Sequence, residues 1–264
     1  MFNLLFPICF ALSALGRTVI AGSPMLRASA HTCSSSNFCE VDSNNYPDML
    51  PMGDISVVSF SIDDLGEWFI AGKENGIGKL WVVSCDLQSY KLVVEKNFSD
   101  IEVSPDGSEV YGIADGSVYD VLATNPNEFI EIAPADPTRD YTGVAFDSEH
   151  QLLYVTGKAS NSVYTFVKNG SSWKPMQGYT NDALQHPTSI RYLQGYIYIR
   201  VSNGVARLNF AAGRDQTPVM YTNLGITGDE DFTVAPDNYL YYRHGDDAVY
   251  RKPLNDHGHD MYCW

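Results

Sequence analysis

The chain has 264 residues, of which 44% are hydrophobic and 19% are charged. Its 32 acidic residues outnumber its 17 Lys and Arg residues, which gives a formal net charge of −15 at pH 7. This balance argues against binding to the phosphate backbone of a nucleic acid. The length suits one large domain with a substantial core.

Residues 1–21 are predicted to be a secretory signal peptide. An apolar run from Leu4 to Leu15 is too short to span a bilayer, and small residues at 19–21 (Val-Ile-Ala) offer a cleavage site. Residues 14–16 are a second choice for cleavage. The region before the run lacks Lys and Arg, so a buried N-terminal segment is the alternative. No other stretch is apolar enough to cross a membrane, and we expect a secreted, extracellular protein.

Four cysteines follow the signal: Cys33, Cys39, Cys85 and Cys263. An even number in a secreted protein predicts two disulfides, for which three connectivities exist. Cys33 and Cys39 are close enough for a small local loop, which leaves Cys85 to pair with Cys263. In the alternative pairing, the N-terminal segment is joined to Cys263. A zinc site is the rival interpretation, but no Cys-x-x-Cys pair or suitably spaced His accompanies these cysteines.

A short phrase recurs five times after residue 57. It consists of an apolar strand, a turn that usually carries an acidic residue, and a second strand with an aromatic residue. The copies begin at residues 58, 101, 144, 190 and 232. A period near forty with several short strands in each unit is typical of a β-propeller. The sequence therefore predicts an all-β fold with five four-stranded blades.

Each unit also carries a hairpin signal and a third strand. The hairpin signals are Asn75-Gly76, Asp115-Gly116, Ser160-Asn161, Asn203-Gly204 and Gly245-Asp246. Aromatic residues occupy the same place in each second strand, and we expect them to pack between neighbouring blades. They are Phe69, Tyr111, Tyr154, Tyr198 and Tyr241.

The last unit is short, and an open ring would leave a sheet edge. We therefore predict one propeller domain over residues 22–264. Its disulfide-bearing segment 22–52 closes the ring, with a strand between about Ala28 and Pro51. This segment is long enough for two strands, which leaves a sixth blade open.

The loops that lead into the first strand of each unit are the predicted ligand site, because such loops usually build the mouth of a propeller channel. Converging carboxylates there would suit a divalent cation such as Ca²⁺, with Asp100 and Asp231 as ligands. The alternative is that these carboxylates cap turns or face solvent. His186 is the histidine placed to act as an acid or base beside them. The predicted mouth residues are Asp54, Asp100, Asp140, His186, Asp229, Glu230 and Asp231.

Two N-glycosylation acceptors add weak support for secretion. Asn97 begins Asn-Phe-Ser, and Asn169 begins Asn-Gly-Ser in a predicted turn.

The turns at 104–107 (Ser-Pro-Asp-Gly) and 235–238 (Ala-Pro-Asp-Asn), each followed by an aromatic strand, resemble those of TolB-like, NHL and SMP-30/gluconolactonase propellers. The resemblance covers about Gly53 to Leu254. Lactonases of the SMP-30 type bind a divalent metal through a Glu, an Asn and an Asp. Asp231 and Asp100 lie in suitable loops, but the Glu and Asn of that family have no counterpart here.

Two functions follow as expectations. The first is a secreted, monomeric binding propeller for a carbohydrate, small molecule or host protein, which would fit an interaction or virulence factor of a microbe. The second is a metal-dependent hydrolase of the lactonase type. We favour the non-enzymatic binder because the sequence shows no matched catalytic set.

Overall fold

The described part of the chain consists of strands, turns and connecting segments, with no helix. The computed structural model describes residues 55–85, 88–122, 129–193, 195–209, 217–221, 232–234, 239–243 and 249–253. Its strands form five small antiparallel sheets, which we call blades 1 to 5 in chain order.

Blades 1 to 4 each run outward from an inner strand to an outer strand. Blade 1 contains β1 (Ser56–Ile62), β2 (Trp68–Glu74), β3 (Ile77–Val83) and β4 (Tyr90–Val94). Blade 2 contains β5 (Phe98–Val103), β6 (Glu109–Ala114), β7 (Ser117–Leu122) and β8 (Phe129–Ala133). Blade 3 contains β9 (Tyr141–Asp147), β10 (Leu152–Gly157), β11 (Ser162–Asn169), β12 (Ser172–Pro175) and the short β13 (Tyr179–Thr180), which also pairs with β11. Blade 4 contains β14 (Ser189–Leu193), β15 (Tyr196–Val201), β16 (Gly204–Leu208) and β17 (Val219–Tyr221).

Blade 5 has three strands within the described residues: β18 (Phe232–Val234), β19 (Tyr239–Arg243) and β20 (Val249–Pro253). The inner strands contact one another in ring order, from β1 through β5, β9 and β14 to β18, and β18 contacts β1. The β-propeller-type fold predicted from the repeat is confirmed. The closing role of residues 22–52 lies outside the described residues and, like the sixth blade, stays a prediction.

The hairpin turns of blades 1 to 3 form where the repeat predicts them, and the turn predicted at Gly245-Asp246 lies outside the described residues. Asn75 and Asp115 adopt φ values of 53° and 54°, and the glycine that follows each one also has a positive φ. This pair of left-handed residues is what a tight hairpin turn needs to match the twist of its strands. Asn161 has a φ of 48° in the corresponding turn of blade 3.

The repeated aromatic residues hold neighbouring blades together, as expected. Phe69 of blade 1 is buried in a core with Ile101 and Val110 of blade 2. Tyr111 of blade 2 lies in a core with residues of blade 3, and its ring centroid is 4.6 Å from that of Phe146. Each seam therefore places an aromatic side chain from one second strand against the next blade.

The same pattern continues around the ring. Tyr154 packs with Ile190 of blade 4, and Tyr198 packs with Phe232 of blade 5. Tyr241 of blade 5 meets the ring of Trp68 in blade 1 edge to face, with centroids 5.4 Å apart. One repeated sequence position thus contributes to all five seams, including the seam between the last and first blades.

Candidate functional site at the centre of the ring

Equivalent residues of the inner strands form two buried layers around the propeller axis. Each residue of the second layer pairs directly with a repeated aromatic residue of the neighbouring strand. Each residue of the first layer lies two positions earlier in the same inner strand. The first layer contains Ser59, Asp100, Gly143 and Ser189, and the second contains Ser61, Glu102, Ala145, Arg191 and Thr233. Every member of both layers is buried.

Arg191 of blade 4 reaches across the axis to Asp100 of blade 2. Its two terminal nitrogens donate to the two carboxylate oxygens, with Nη1–Oδ2 at 3.0 Å and Nη2–Oδ1 at 2.8 Å. This two-pronged arrangement is the strong, directional form of an Arg–carboxylate pair. The guanidinium also donates to the backbone carbonyl oxygens of Phe60 in blade 1 and Val144 in blade 3, both at 3.3 Å. One side chain therefore connects four blades.

The Asp100 carboxylate accepts two further hydrogen bonds. Ser59 Oγ donates to Oδ1 at 2.7 Å, and the backbone N–H of Val144 donates to Oδ2 at 2.8 Å. Both oxygens are thus surrounded by donors from three other blades. Removing one partner of such a buried ion pair typically costs about 3 to 5 kcal/mol, because the other charge is left uncompensated.

Glu102 brings a second carboxylate to the same region. Its Oε2 lies 3.6 Å from Arg191 Nε and accepts a hydrogen bond of 2.9 Å from Ser61 Oγ. The cluster of Arg191, Asp100 and Glu102 therefore combines two carboxylates with one guanidinium. Alternation along β5 places Asp100 and Glu102 on the same side of the strand.

Asp100 was predicted to lie in the loop ahead of its strand, but it is the third residue of β5. The strand starts earlier because Phe98 is buried in the seam core and extends the pairing, with an irregularity in register between Phe98 and Asp100. The Asp100 carboxylate faces the guanidinium of Arg191 instead of the channel mouth. Within the described ranges, no three His, Cys, Asp or Glu side chains are grouped to hold a metal ion.

Two other predicted mouth residues lie at the end of the ring where the inner strands begin. Asp140 directly precedes β9, is exposed and has a φ of 54°. His186 lies ahead of β14, is also exposed, and has a φ of 49°. The backbone N–H of His186 donates to Asn161 Oδ1 at 2.9 Å, which anchors this loop to the neighbouring hairpin. Asp and His adopt a left-handed backbone more readily than most residues other than glycine.

The remaining predicted residues divide into two groups. Asp54, Asp229, Glu230, Asp231, Cys33, Cys39 and Cys263 lie outside the described residues. Cys85 lies just after β3 and is largely buried, and its pairing stays a prediction. Asn97 and Asn169 are both exposed, and Asn169 ends β11 just before a turn at Gly170. Their glycosylation stays a prediction.

Asp63 occupies the turn after β1, at the opposite end of the ring. Its Oδ1 accepts the backbone N–H groups of Leu65 at 2.9 Å and Glu67 at 2.8 Å. Its Oδ2 is buried and has no hydrogen-bond partner among the residues that the structure describes. Burial, together with the nearby acidic groups of Glu67 and Asp64, raises the pKa of Asp63 to about 7.

Sequence reasoning missed one titratable pair at this end of the ring. His150 Nδ1 lies 2.9 Å from Oδ2 of the buried Asp147, while the imidazole itself is exposed. The hydrogen bond to Asp147 raises the pKa of His150 above its ordinary value. The three-residue spacing of Asp147 and His150 within a turn was the signal that could have revealed this pair.

The sequence matches no protein-family model and no curated protein. The structure is similar to one in a nidogen/laminin complex, with a TM-score of 0.54 and 10% identity over 70% of this chain and 71% of that chain. It is also similar to glutaminyl cyclase of Myxococcus xanthus, with a TM-score of 0.53 and 13% identity over 78% of this chain and 92% of that chain. Both neighbours have β-propeller-type folds, and at such low identity the likeness shows the fold alone.

Across the ranges that the structure describes, no helix is long and apolar enough to cross a bilayer.

Proposed function

We propose that this chain is a secreted binding propeller whose central axis is structural and whose exposed loops recognise a glycan, small molecule or protein. The observation that carries this proposal is the pair of Arg191 and Asp100, which spans the axis and engages both carboxylate oxygens. Asp100 is thereby committed to holding blades together. The similarity to a structure in a nidogen/laminin complex supports a role for this propeller in binding a protein.

The recognition surface in this proposal is the end of the ring that carries Asp140 and His186. Both side chains are exposed, and hydrogen bonds fix the loops that present them. The backbone N–H of Lys158 donates to the carbonyl oxygen of Asp140 at 2.9 Å, which ties that loop to the neighbouring segment. A loop held in one conformation loses less entropy when a ligand binds. The protein acts as a monomer in this role, as an interaction or virulence factor of a microbe.

A binding screen with matched variants tests this surface. The full chain is applied to a broad glycan array and used to capture partners from extracellular fluid. We expect at least one saturable interaction that is weakened about tenfold or more in Asp140→Ala or His186→Ala. Glu131→Ala, which changes an exposed carboxylate on outer strand β8, should bind like the unmodified chain. Blank screens, or equal loss in all three variants, would contradict the proposal.

The lactonase-like hydrolase remains the second candidate because one structural neighbour is an enzyme and residues 229–231 (Asp-Glu-Asp) immediately precede β18. Titration with Ca²⁺ or Zn²⁺ by calorimetry separates the two functions. Saturable metal binding that is lost in Asp231→Ala would favour the hydrolase. If Asp100 serves only the ion pair with Arg191, Asp100→Asn should leave any metal affinity unchanged while lowering stability.

A further inference from the structure

Two turns meet at the end of the ring where the inner strands finish, at the seam between blades 1 and 2. Residues 63–67 follow β1, and residues 104–108 follow β5. The backbone N–H of Asp64 donates to the carbonyl oxygen of Pro105 at 2.9 Å, which joins the two turns. Partial burial and the nearby charge of Asp106 raise the pKa of Asp64. The two carboxylates therefore lie close enough to repel each other.

The buried carboxylate of Asp63 belongs to the same group. Asp63 is 1% exposed, and its unpartnered Oδ2 is directed at the turn of blade 2, since a Cβ atom at Gly107 would lie 2.6 Å from this oxygen. Among the residues that the structure describes, no Lys, Arg or His forms an ion pair with Asp63 or Asp64. Three carboxylates thus meet at this seam, and at least two of them have no basic partner there.

Asp147 in blade 3 shows what satisfies a carboxylate at this position of the repeat. Asp63 and Asp147 each lie two residues after the second layer of their blades, and Oδ1 of each accepts two backbone N–H groups of its own turn. The other oxygen of Asp147, Oδ2, lies 2.9 Å from Nδ1 of His150, which is a basic group. Gly66 stands at the corresponding place in blade 1, three residues after Asp63, and has no side chain to offer. A basic partner for this seam therefore has to come from outside its turn.

We propose that this end of the seam binds a Lys or Arg side chain of a basic peptide, whose charged group contacts Asp64 and Asp106. Leu65 lies beside Asp64 and is 48% exposed, which provides an apolar surface for the aliphatic stem of such a side chain. The net charge of −15 favours a cationic partner. The site lies at the opposite end of the ring from Asp140 and His186, so it does not depend on the recognition surface proposed above.

Asp63 couples this binding to pH. The titratable groups that face it are Asp64 and Glu67 in its own turn and Asp106 in the turn of blade 2. All three are acidic and oppose its ionisation, as burial does, whereas a bound Lys or Arg group favours the ionised form. The pKa of Asp63 is about 7 without such a partner. Binding should therefore release a proton near neutral pH, and affinity should rise as the pH increases through this value.

Fluorescence polarisation with a labelled oligolysine peptide at low salt tests the site on the full chain. We expect saturable binding that is weakened about threefold or more by Asp64→Asn and by Asp106→Asn. The peptide with acetylated lysines should not bind. Glu149→Gln removes an exposed carboxylate at the same end of the ring but at another seam, so this control should bind like the unmodified chain, as should Asp140→Ala at the opposite end. No binding, or an equal loss in Glu149→Gln, would overturn the proposal.

Calorimetry near neutral pH, in two buffers with different ionisation enthalpies, measures the coupling to Asp63. The unmodified chain should release protons as the oligolysine peptide binds, and Asp63→Asn should bind the peptide with less proton release. The affinity of the unmodified chain should rise about threefold or more as the pH increases from about 6 to about 8, and that of Asp63→Asn should change less. Equal proton release by the two proteins would show that Asp63 does not sense the bound cation, which contradicts its place in the site.

Discussion

Arg191 shows how a single buried side chain can organise a repeat whose other positions are alike. The first residues of the five phrases are apolar, and Ile190 follows that rule at the start of its copy. Arg191 is the second residue of its phrase, a position at which the copies differ, and it lies fully buried against Asp100. The guanidinium is tolerated there because carboxylate and carbonyl oxygens surround it. The charged side chain at this position of β14 therefore has a structural role, because it joins blade 4 to the other blades.

Asp63 makes a testable contribution to the pH dependence of stability. Its folded pKa of about 7 lies above the ordinary value of 3.8, so the native state holds a proton that the unfolded chain releases. The free energy of unfolding should therefore fall as the pH rises from about 4 to about 7 and level off above that. At about 1.4 kcal/mol per pKa unit, this contribution is at most about 4 kcal/mol.

Asp63→Asn should flatten this slope, because the amide keeps an acceptor for the Leu65 and Glu67 N–H groups and does not ionise. Urea unfolding of both proteins between pH 4 and pH 8 measures the effect. Asp115→Asn, which changes an exposed carboxylate, serves as the control and should retain the slope of the unmodified chain. Equal slopes for Asp63→Asn and the unmodified chain would show that Asp63 is not the responsible group.

At the scale of the strand, Gly143 sets how closely the inner strands of blades 3 and 4 approach. A Cβ atom at this position would lie 2.7 Å from Ser189 Cα and 2.9 Å from the backbone nitrogen of Ile190. Neither backbone atom can move aside without shifting β14. The close contact therefore requires glycine for its small size.

Gly143→Ala should lower the free energy of unfolding by about 1 to 3 kcal/mol, the range typical of overpacking in a dense core. Chemical denaturation of the purified variant gives this value. Gly178→Ala is the matched control, because its nearest neighbour would be the Val163 carbonyl oxygen at 3.2 Å. A loss no larger than that of the control would mean that the inner strands accommodate the added methyl group.

The sequence predicts strands well where one phrase repeats and poorly where one copy differs. The hairpins at Asn75 and Asp115 and the seam role of Phe69 follow from local patterns that occur several times. The pairing of Arg191 with Asp100 joins residues 91 positions apart. Arg191 lies in a copy of the repeat and Asp100 was a predicted ligand, but neither pattern indicates that the two side chains meet. Only the closed ring brings them together, so the centre of the candidate site was beyond the reach of spacing arguments.

At the scale of the whole molecule, the contact between Tyr241 and Trp68 links the last blade to the first. Tyr241→Ala should lower the free energy of unfolding by about 3 to 5 kcal/mol, as is typical when a buried aromatic side chain is truncated. Phe69→Ala at the seam of blades 1 and 2 provides the matched comparison. In a cooperative ring, both variants should unfold in a single transition by calorimetry with similar losses. A separate early transition in Tyr241→Ala alone would instead show that blade 5 unfolds independently.

The reach of Arg191 has a consequence for the order in which the chain can fold. Its hydrogen-bonding partners Ser59 and Asp100 precede it by 132 and 91 residues. A nascent chain that has completed only blades 1 to 3 therefore exposes the Asp100 carboxylate without its cation. Contacts of such long sequence separation slow folding, because a large loop must close before they form. The pair that joins blades 2 and 4 can therefore form only after blade 4 has been synthesised.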